Sequence, residues 1–274
     1  MNKISAGTLT LMVALTCAHA QTGDFPYRFN PWIDLSLIPA GITAKKISDV
    51  FEDEIPVYGS AEIENLSREN INALERFATY KWSPGVDNTG DILLALLLGA
   101  PAGLLVPDIV HINEQERWKN ILHLSMMYGE IYFLTQGITN LTQALTRRNR
   151  PFLYNTSLPV KLRLEEAQDV GAYQSFFSGH TSGAFASAVF LAKVFQDRYG
   201  RGTMSRIIWG TSLGLASAAG IARVYAGKHF PTDVLTGAVV GAGIGFLVPQ
   251  LHKVNRGVVS LLVHPGTVKV TVLF

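Results

Sequence analysis

Charge is scarce in this 274-residue chain: Asp, Glu, Lys and Arg make up 16%, against roughly 25% in an average soluble domain. What charge there is nearly cancels, leaving a formal net of +2. A protein that binds nucleic acid through its surface needs a surplus of Lys and Arg to displace counterions, so that class is excluded. Disorder is excluded too, because hydrophobic residues reach 48% and a disordered chain is poor in them. Cysteine is almost absent. The single one, Cys17, closes an uncharged stretch that begins at Ile4, after the basic Lys3. Ala18-His19-Ala20 follows with the small-x-small form of a cleavage site, so residues 1–20 read as a signal peptide with Gln21 the first mature residue. The stretch is shorter than the roughly 20 residues a membrane-spanning helix needs. Its removal leaves no thiol for a disulfide, a nucleophile or a metal.

Long apolar runs, by contrast, are plentiful, and mean hydropathy is +0.22. Residues 92–106, 121–139, 184–192, 207–222 and 234–251 are each long enough for a helix rather than a strand. Gly237, Gly241 and Gly245 recur at every fourth position, a spacing that lets helix backbones approach closely. The predicted fold class is all-α, a hydrophobic and membrane-embedded helical bundle over 91–251. A mixed segment of surface helices and loops over 21–90 precedes it, with 31–39 apolar but broken by Pro31 and Pro39. A tail over 252–274 follows, and its alternation around Pro265-Gly266 predicts a short C-terminal β-hairpin. The link 197–206 and the tail 252–256 are basic and fall on one side if the last three helices alternate. The positive-inside rule makes that side cytoplasmic and puts 141–180 and 223–233 on the exported face.

Three polar clusters sit on that exported face: Arg147-Arg148-Asn149-Arg150-Pro151, Ser178-Gly179-His180-Thr181-Ser182, and Arg223 with His229 and Asp233. Singly, each has an ordinary reading as a headgroup anchor, a helix cap or a local hydrogen bond. Together they make a complete set for handling an oxyanion. Arginines hold phosphate oxygens by charge-assisted bonds, and the backbone N–H groups of Ser178 and Gly179 at a helix start add dipole-favoured anion binding. One histidine can attack phosphorus while another protonates the leaving oxygen.

The clusters resemble the three signature motifs of the type-2 phosphatidic acid phosphatase and vanadium haloperoxidase superfamily. Those motifs run Lys-x6-Arg-Pro, Pro-Ser-Gly-His and Ser-Arg-x5-His-x3-Asp. Arg150-Pro151 matches the end of the first, Ser178-Gly179-His180 the second, and Arg223, His229 and Asp233 the third. The resemblance implies a helical bundle with a phosphohistidine mechanism that needs neither metal nor cofactor. By position, His229 is then the nucleophile, Asp233 its orienting carboxylate and His180 the general acid. Arg150, Arg223, Ser178, Gly179 and Gln143 are the phosphate-binding positions. Three residues depart from the motifs: Gln143 stands at the lysine position, Phe177 at the proline and Ala222 at the serine. Gln143 matters most, since it replaces a cation with an amide, and Arg147 and Arg148 are the neighbouring cations able to supply the charge.

The implied substrate is a phosphorylated lipid (phosphatidate, isoprenyl diphosphate or lipid A type) met at the membrane, in an inner-membrane protein whose site faces the periplasm. Two alternatives stand beside it: a soluble periplasmic acid phosphatase of broad specificity, and a non-catalytic envelope protein that binds phosphate groups. A vanadate-dependent haloperoxidase shares the motif residues, but this chain is short for one. Oligomeric state is not legible in the sequence. Glu130 and His123, seven residues apart, fall on one face of their helix and suit a pairing or a catalytic role. His111, His252 and His264 are scattered and fit no metal-ligand spacing. Asp87-Asn88-Thr89-Gly90-Asp91 reads as a helix-start turn rather than a calcium loop.

Overall fold

The computed structural model describes residues 25–111, 114–254, 259–264 and 267–272; the expected signal peptide lies outside them. Six long helices carry the fold: α1 Pro31–Glu52, α2 Pro84–Gly99, α3 Glu114–Thr146, α4 Gly179–Tyr199, α5 Thr203–Tyr225 and α6 Pro231–His252. Strands β1 Val259–His264 and β2 Thr267–Val272 pair antiparallel at the C-terminal end, Val259 opposite Val272, which is the expected hairpin.

Local chemistry explains where the helices begin and end. Ser83 caps α2 by accepting the Val86 N–H, and Pro84 follows at the first helical position, where a missing N–H costs nothing. Ser178 caps α4 through the Thr181 N–H, and Pro231 opens α6. Gly200, at φ 83°, ends α4 in a left-handed conformation that only glycine adopts freely. The segment 31–39, which reads in sequence as broken by prolines, is one continuous helix: Pro31 occupies the first position and Pro39 is carried inside.

Packing places α4 at the centre, against α2, α3, α5 and α6, while α1 lies on α3. The closest approach is between α4 and α6. A Cβ on Gly237 would lie 2.6 Å from the Ser178 carbonyl oxygen, one on Gly241 2.1 Å from that of Ser182, and one on Gly245 2.3 Å from that of Ala186. Both sets of residues advance by four in the same direction, so the two helices run parallel and in register. Gly41 of α1 and Gly137 of α3 make a second backbone crossing, with a Cβ on Gly137 falling 2.2 Å from the Gly41 carbonyl oxygen. That crossing makes α1 an integral part of the bundle, and α2 likewise begins at Pro84, ahead of the predicted boundary at 91.

Among the described residues, three segments are long and apolar enough to cross a membrane: Pro84–Val110, Thr203–Tyr225 and Pro231–His252. Their outward faces are apolar, with Leu235 66% and Val239 73% exposed, as expected where the surrounding solvent is lipid rather than water. The basic link and tail meet at one end of the bundle, where Lys253 Nζ donates to Asp197 Oδ1 at 2.6 Å. At the other end, residues 55–80 and 148–178 form a cap with a small core of its own around Ile63, Phe152, Leu153 and Tyr173.

The α4–α6 contact yields a direct test. Gly241→Ala forces a methyl onto a backbone carbonyl and is expected to lower stability by about 1–3 kcal/mol, the usual cost of overpacking. Gly243→Ala, which meets nothing within 4 Å, serves as the neutral control. Thermal unfolding in detergent separates the two; equal midpoints would refute the close contact.

Candidate active site

Because α4 and α6 are parallel, their N-termini open at the same end, and the three polar clusters collect there. His229 sits one turn before α6, in a tight turn made by Gly227 at φ 76°. A Cβ on Gly227 would lie 2.2 Å from the Lys81 carbonyl oxygen, so glycine alone fits. The His229 ring is 1% exposed. Its Nδ1 lies 2.8 Å from the Ser175 carbonyl oxygen. A carbonyl only accepts, so Nδ1 carries the proton and the lone pair is on Nε2. Burial, with the nearby charges of Arg150 and Arg223, pulls the ring down to about 4 against the partial support of Asp233. The imidazole is therefore neutral at physiological pH.

Asp233 is a hub more than a direct partner. Its Oδ2 accepts from Ser175 Oγ at 2.6 Å and from the Phe230 N–H at 2.8 Å, while Oδ1 accepts from Arg148 Nη1 at 2.5 Å. The His229 Nδ1 is 3.8 Å away. The carboxylate thus holds the Ser175 loop and the α6 start in place, and the Ser175 carbonyl contacts the ring. The Asp233 backbone carbonyl also accepts the Ser178 N–H at 3.0 Å, tying the two helix starts together.

Arg150 and Arg223 differ in their engagement. Arg223 Nη1 contacts Asp87 and lies 3.1 Å from Asp91 Oδ1, while its Nε is buried without a partner. Arg150 also has a buried, unpartnered Nε, and among the described residues no hydrogen bond or ion pair involves any other nitrogen of its guanidinium. Burial first, then the charge of Arg223, pulls Arg150 down to about 10; it remains a cation at neutral pH. His180, in the first turn of α4, has Nε2 2.8 Å from Asp91 Oδ1.

The positions around Gln143 resolve differently from the sequence expectation. Gln143 Nε2 donates to the Phe177 carbonyl at 2.8 Å, where it supports the backbone entering the Ser178-Gly179 turn. Neither neighbouring arginine is free to replace the missing cation. Arg148 is held by Asp233 and by Glu75 Oε2 at 2.8 Å and stacks 4.2 Å over the Phe230 ring. Arg147 turns outward to Glu54 Oε2 at 3.2 Å. Sequence reasoning missed Ser175, Glu75, Asp87 and Asp91. The last two were legible only as a helix start; their spacing of four puts both on the α2 face that meets Arg223 and His180. Glu130 and His123 do not act together: His123 Nδ1 bonds the Lys119 carbonyl, whereas Glu130 is fully buried.

The depressed basicity of His229 carries a pH signature. An unfolded histidine titrates near 6.5 and the folded one near 4, so the unfolded state binds the extra proton between these values. The stability this group contributes is complete above pH 6.5 and is lost as pH falls toward 4. Ring-nitrogen NMR shifts of His229, assigned by comparison with His229→Gln, are expected to titrate near 4. A midpoint at 6 or above would contradict the buried neutral ring.

Comparison with known proteins agrees with this geometry. Residues 124–256 match the family model described as the PAP2 superfamily, a range that encloses every motif residue above. Over 114 residues the chain is 35% identical to the undecaprenyl-diphosphatase BcrC of Bacillus subtilis, covering 42% of this chain and 50% of that protein. Over 86 residues it is 29% identical to the lipid A 4'-phosphatase of Porphyromonas gingivalis, covering 31% and 33%. The chain thus spans half or less of the length of these curated relatives. The crystal structure of a transmembrane PAP2 type phosphatidylglycerolphosphate phosphatase from Bacillus subtilis superposes with a TM-score of 0.40 at 18% identity, over 88% of this chain and 90% of that one. The motif residues gather at the paired starts of α4 and α6 and lie inside the range, just under half of the chain, that is similar to the PAP2 superfamily.

Proposed function

We propose that the protein is a lipid phosphatase that works through a phosphohistidine at His229, from an inner-membrane position with its site on the periplasmic face. The observation that carries this reading is the pairing of a partnerless Arg150 guanidinium with a neutral His229 whose Nε2 lone pair is free. A half-buried cation with no carboxylate bonded directly to it, beside a nucleophile, is matched by a phosphate dianion. The N-termini of α4 and α6 add two further helix dipoles of the same sign.

In the proposed sequence, His229 Nε2 forms a bond to phosphorus as the bond from phosphorus to the ester oxygen breaks. His180 gives its proton to that oxygen. Burial and the Arg223 charge lower the basicity of His180, against which Asp91 on Nε2 supports the protonated ring and leaves Nδ1 to reach the leaving group. A water then attacks phosphorus, His180 takes its proton, and the phosphorus–nitrogen bond breaks to free phosphate and His229. Arg150, the Arg223 Nε and the Gly179 N–H stabilise the charge developing on the phosphoryl oxygens, whereas the Ser178 N–H, expected from the sequence to join them, is taken by the Asp233 carbonyl.

The preference for a lipid rests on what adjoins the site. From Gly179 an apolar groove of about 110 Å³ runs between α2, α3 and α4, lined by Leu94, Leu98, Tyr128, Tyr132 and Gly183. A second cavity of about 360 Å³ shares Leu98, Tyr128 and Tyr132 with it and reaches Phe190. Gly179 to Phe190 is about 17 Å along a helix, room for part of a hydrocarbon chain. A soluble phosphatase of broad specificity has no use for such a groove.

Two experiments test this reading. His229→Gln and Arg150→Ala should reduce phosphate release from a phosphorylated lipid, the first to background and the second by about 10²–10³-fold. Release by the wild type should persist in EDTA at temperatures where the protein stays folded. Undiminished release by His229→Gln would end the phosphohistidine reading. Gly183→Leu, whose Cβ already faces Leu94 Cδ1 at 3.4 Å, should raise KM for a long-chain phospholipid about tenfold, a loss of about 1.4 kcal/mol of chain burial. It should leave p-nitrophenyl phosphate hydrolysis unchanged. Equal effects on both substrates would favour the broad-specificity alternative.

A further inference from the structure

At the end of the bundle opposite His229, three ionisable side chains meet in the core and take no part in the phosphate site. Asp34 comes from the first turn of α1, Glu130 from the middle of α3 and His252 from the last turn of α6, at 3%, 0% and 2% exposure. Along α6, His252 lies about 30 Å from the end that opens at Pro231. The His252 Nδ1 is 2.9 Å from the Val248 carbonyl oxygen, so it holds the proton there. Its Nε2 is 3.2 Å from Asp34 Oδ1 and 3.5 Å from Glu130 Oε2. One ligand atom from each of the three lies within 4.8 Å of the others.

Charge does not balance among these groups. An imidazolium could offset one carboxylate, but two are buried. Asp34 Oδ2 accepts the Asn30 N–H at 2.6 Å, whereas neither oxygen of Glu130 has a hydrogen-bond partner. The neighbouring cations are engaged elsewhere: Lys253 and Lys193 both bond Asp197. A buried carboxylate with no hydrogen-bond donor, sharing a single imidazole with a second buried carboxylate, is a costly arrangement unless a cation completes it.

We propose that Asp34, Glu130 and His252 bind a divalent transition metal of the zinc type, which clamps α1 and α3 to the end of α6. Metal–ligand bonds of about 2.0–2.1 Å in a tetrahedron give ligand–ligand edges of about 3.3–3.4 Å, and the two measured separations from Nε2 bracket that value. One imidazole nitrogen with two carboxylate oxygens is an N/O set suited to zinc, with water in the fourth position. Magnesium and calcium instead call for more oxygens. The Nδ1–H bond to the Val248 carbonyl is the outer contact that orients a metal-binding histidine. The Arg28 N–H, donated to the His252 carbonyl at 3.0 Å, fastens the chain entering α1 to the same spot.

The test uses the full chain purified in detergent, stripped with EDTA and then supplied with Zn²⁺ alone. Elemental analysis after gel filtration should give one zinc per chain. The thermal midpoint should fall by roughly 5–10 °C on stripping and return with zinc. Glu130→Gln and His252→Gln should bind no zinc and lose the zinc-dependent shift. A wild-type protein that retains no zinc, or whose midpoint ignores it, overturns the proposal whether or not the variants fold. Zinc retained equally by both variants overturns it as well, since the ligands would then lie elsewhere.

Discussion

The parallel, glycine-lined approach of α4 and α6 is the constraint on which the rest of the molecule depends. Antiparallel neighbours would bring one helix start beside one helix end and cancel their dipoles. Here α5 returns the chain, so α4 and α6 point the same way and both present their N-terminal dipole ends on one side. Only small residues at 237, 241 and 245 let the axes come close enough for the Asp233 carbonyl to take the Ser178 N–H. The Ser178-Gly179 turn and the histidine turn are thereby held in a fixed relation by backbone rather than by long side chains.

Electrostatics at that end follow from the same geometry. Asp233 is fully buried, and its two oxygens are satisfied by Arg148, Ser175 and the Phe230 N–H. With Arg148 used in this way, the charge left facing the site is that of Arg150, supplemented by Arg223. The glutamine at 143 costs the site a cation, and the fold does not restore it from the neighbouring arginines. The amide instead braces the Phe177 carbonyl just ahead of the helix start, a structural use that a lysine would fill less well, since its ammonium is a more strongly hydrated point charge.

The two ends of the bundle are built on opposite principles. At the capped end, the Nε atoms of Arg150 and Arg223 are left without hydrogen-bond partners. At the other, Asp108, Asn120 and Arg198 satisfy one another in a buried tie, and Lys193, Lys253 and Tyr27 converge on Asp197. The Asp34, Glu130 and His252 group stands out against these ties because its carboxylates exceed its donors.

By itself the sequence determined the helical class, the approximate helix limits, the hairpin and the three polar clusters that the fold gathers at one end. Helix-length apolar runs, capping Ser and Pro residues and motif spacing are local properties, and local properties are readable along a chain. Tertiary structure decided what those residues touch. That Ser175 rather than Asp233 contacts the His229 ring, and that Arg148 is a clamp, depends on a loop 55–60 residues away in sequence from α6, for which no periodicity gives a signal. The segment 31–39, read within a mixed surface stretch over 21–90 because two prolines break it, belongs to a helix that its Gly41 crossing with Gly137 and the meeting of Asp34 with Glu130 and His252 join to the bundle. Those partners are separated by about a hundred residues or more, and only packing brings such distant charges into one place.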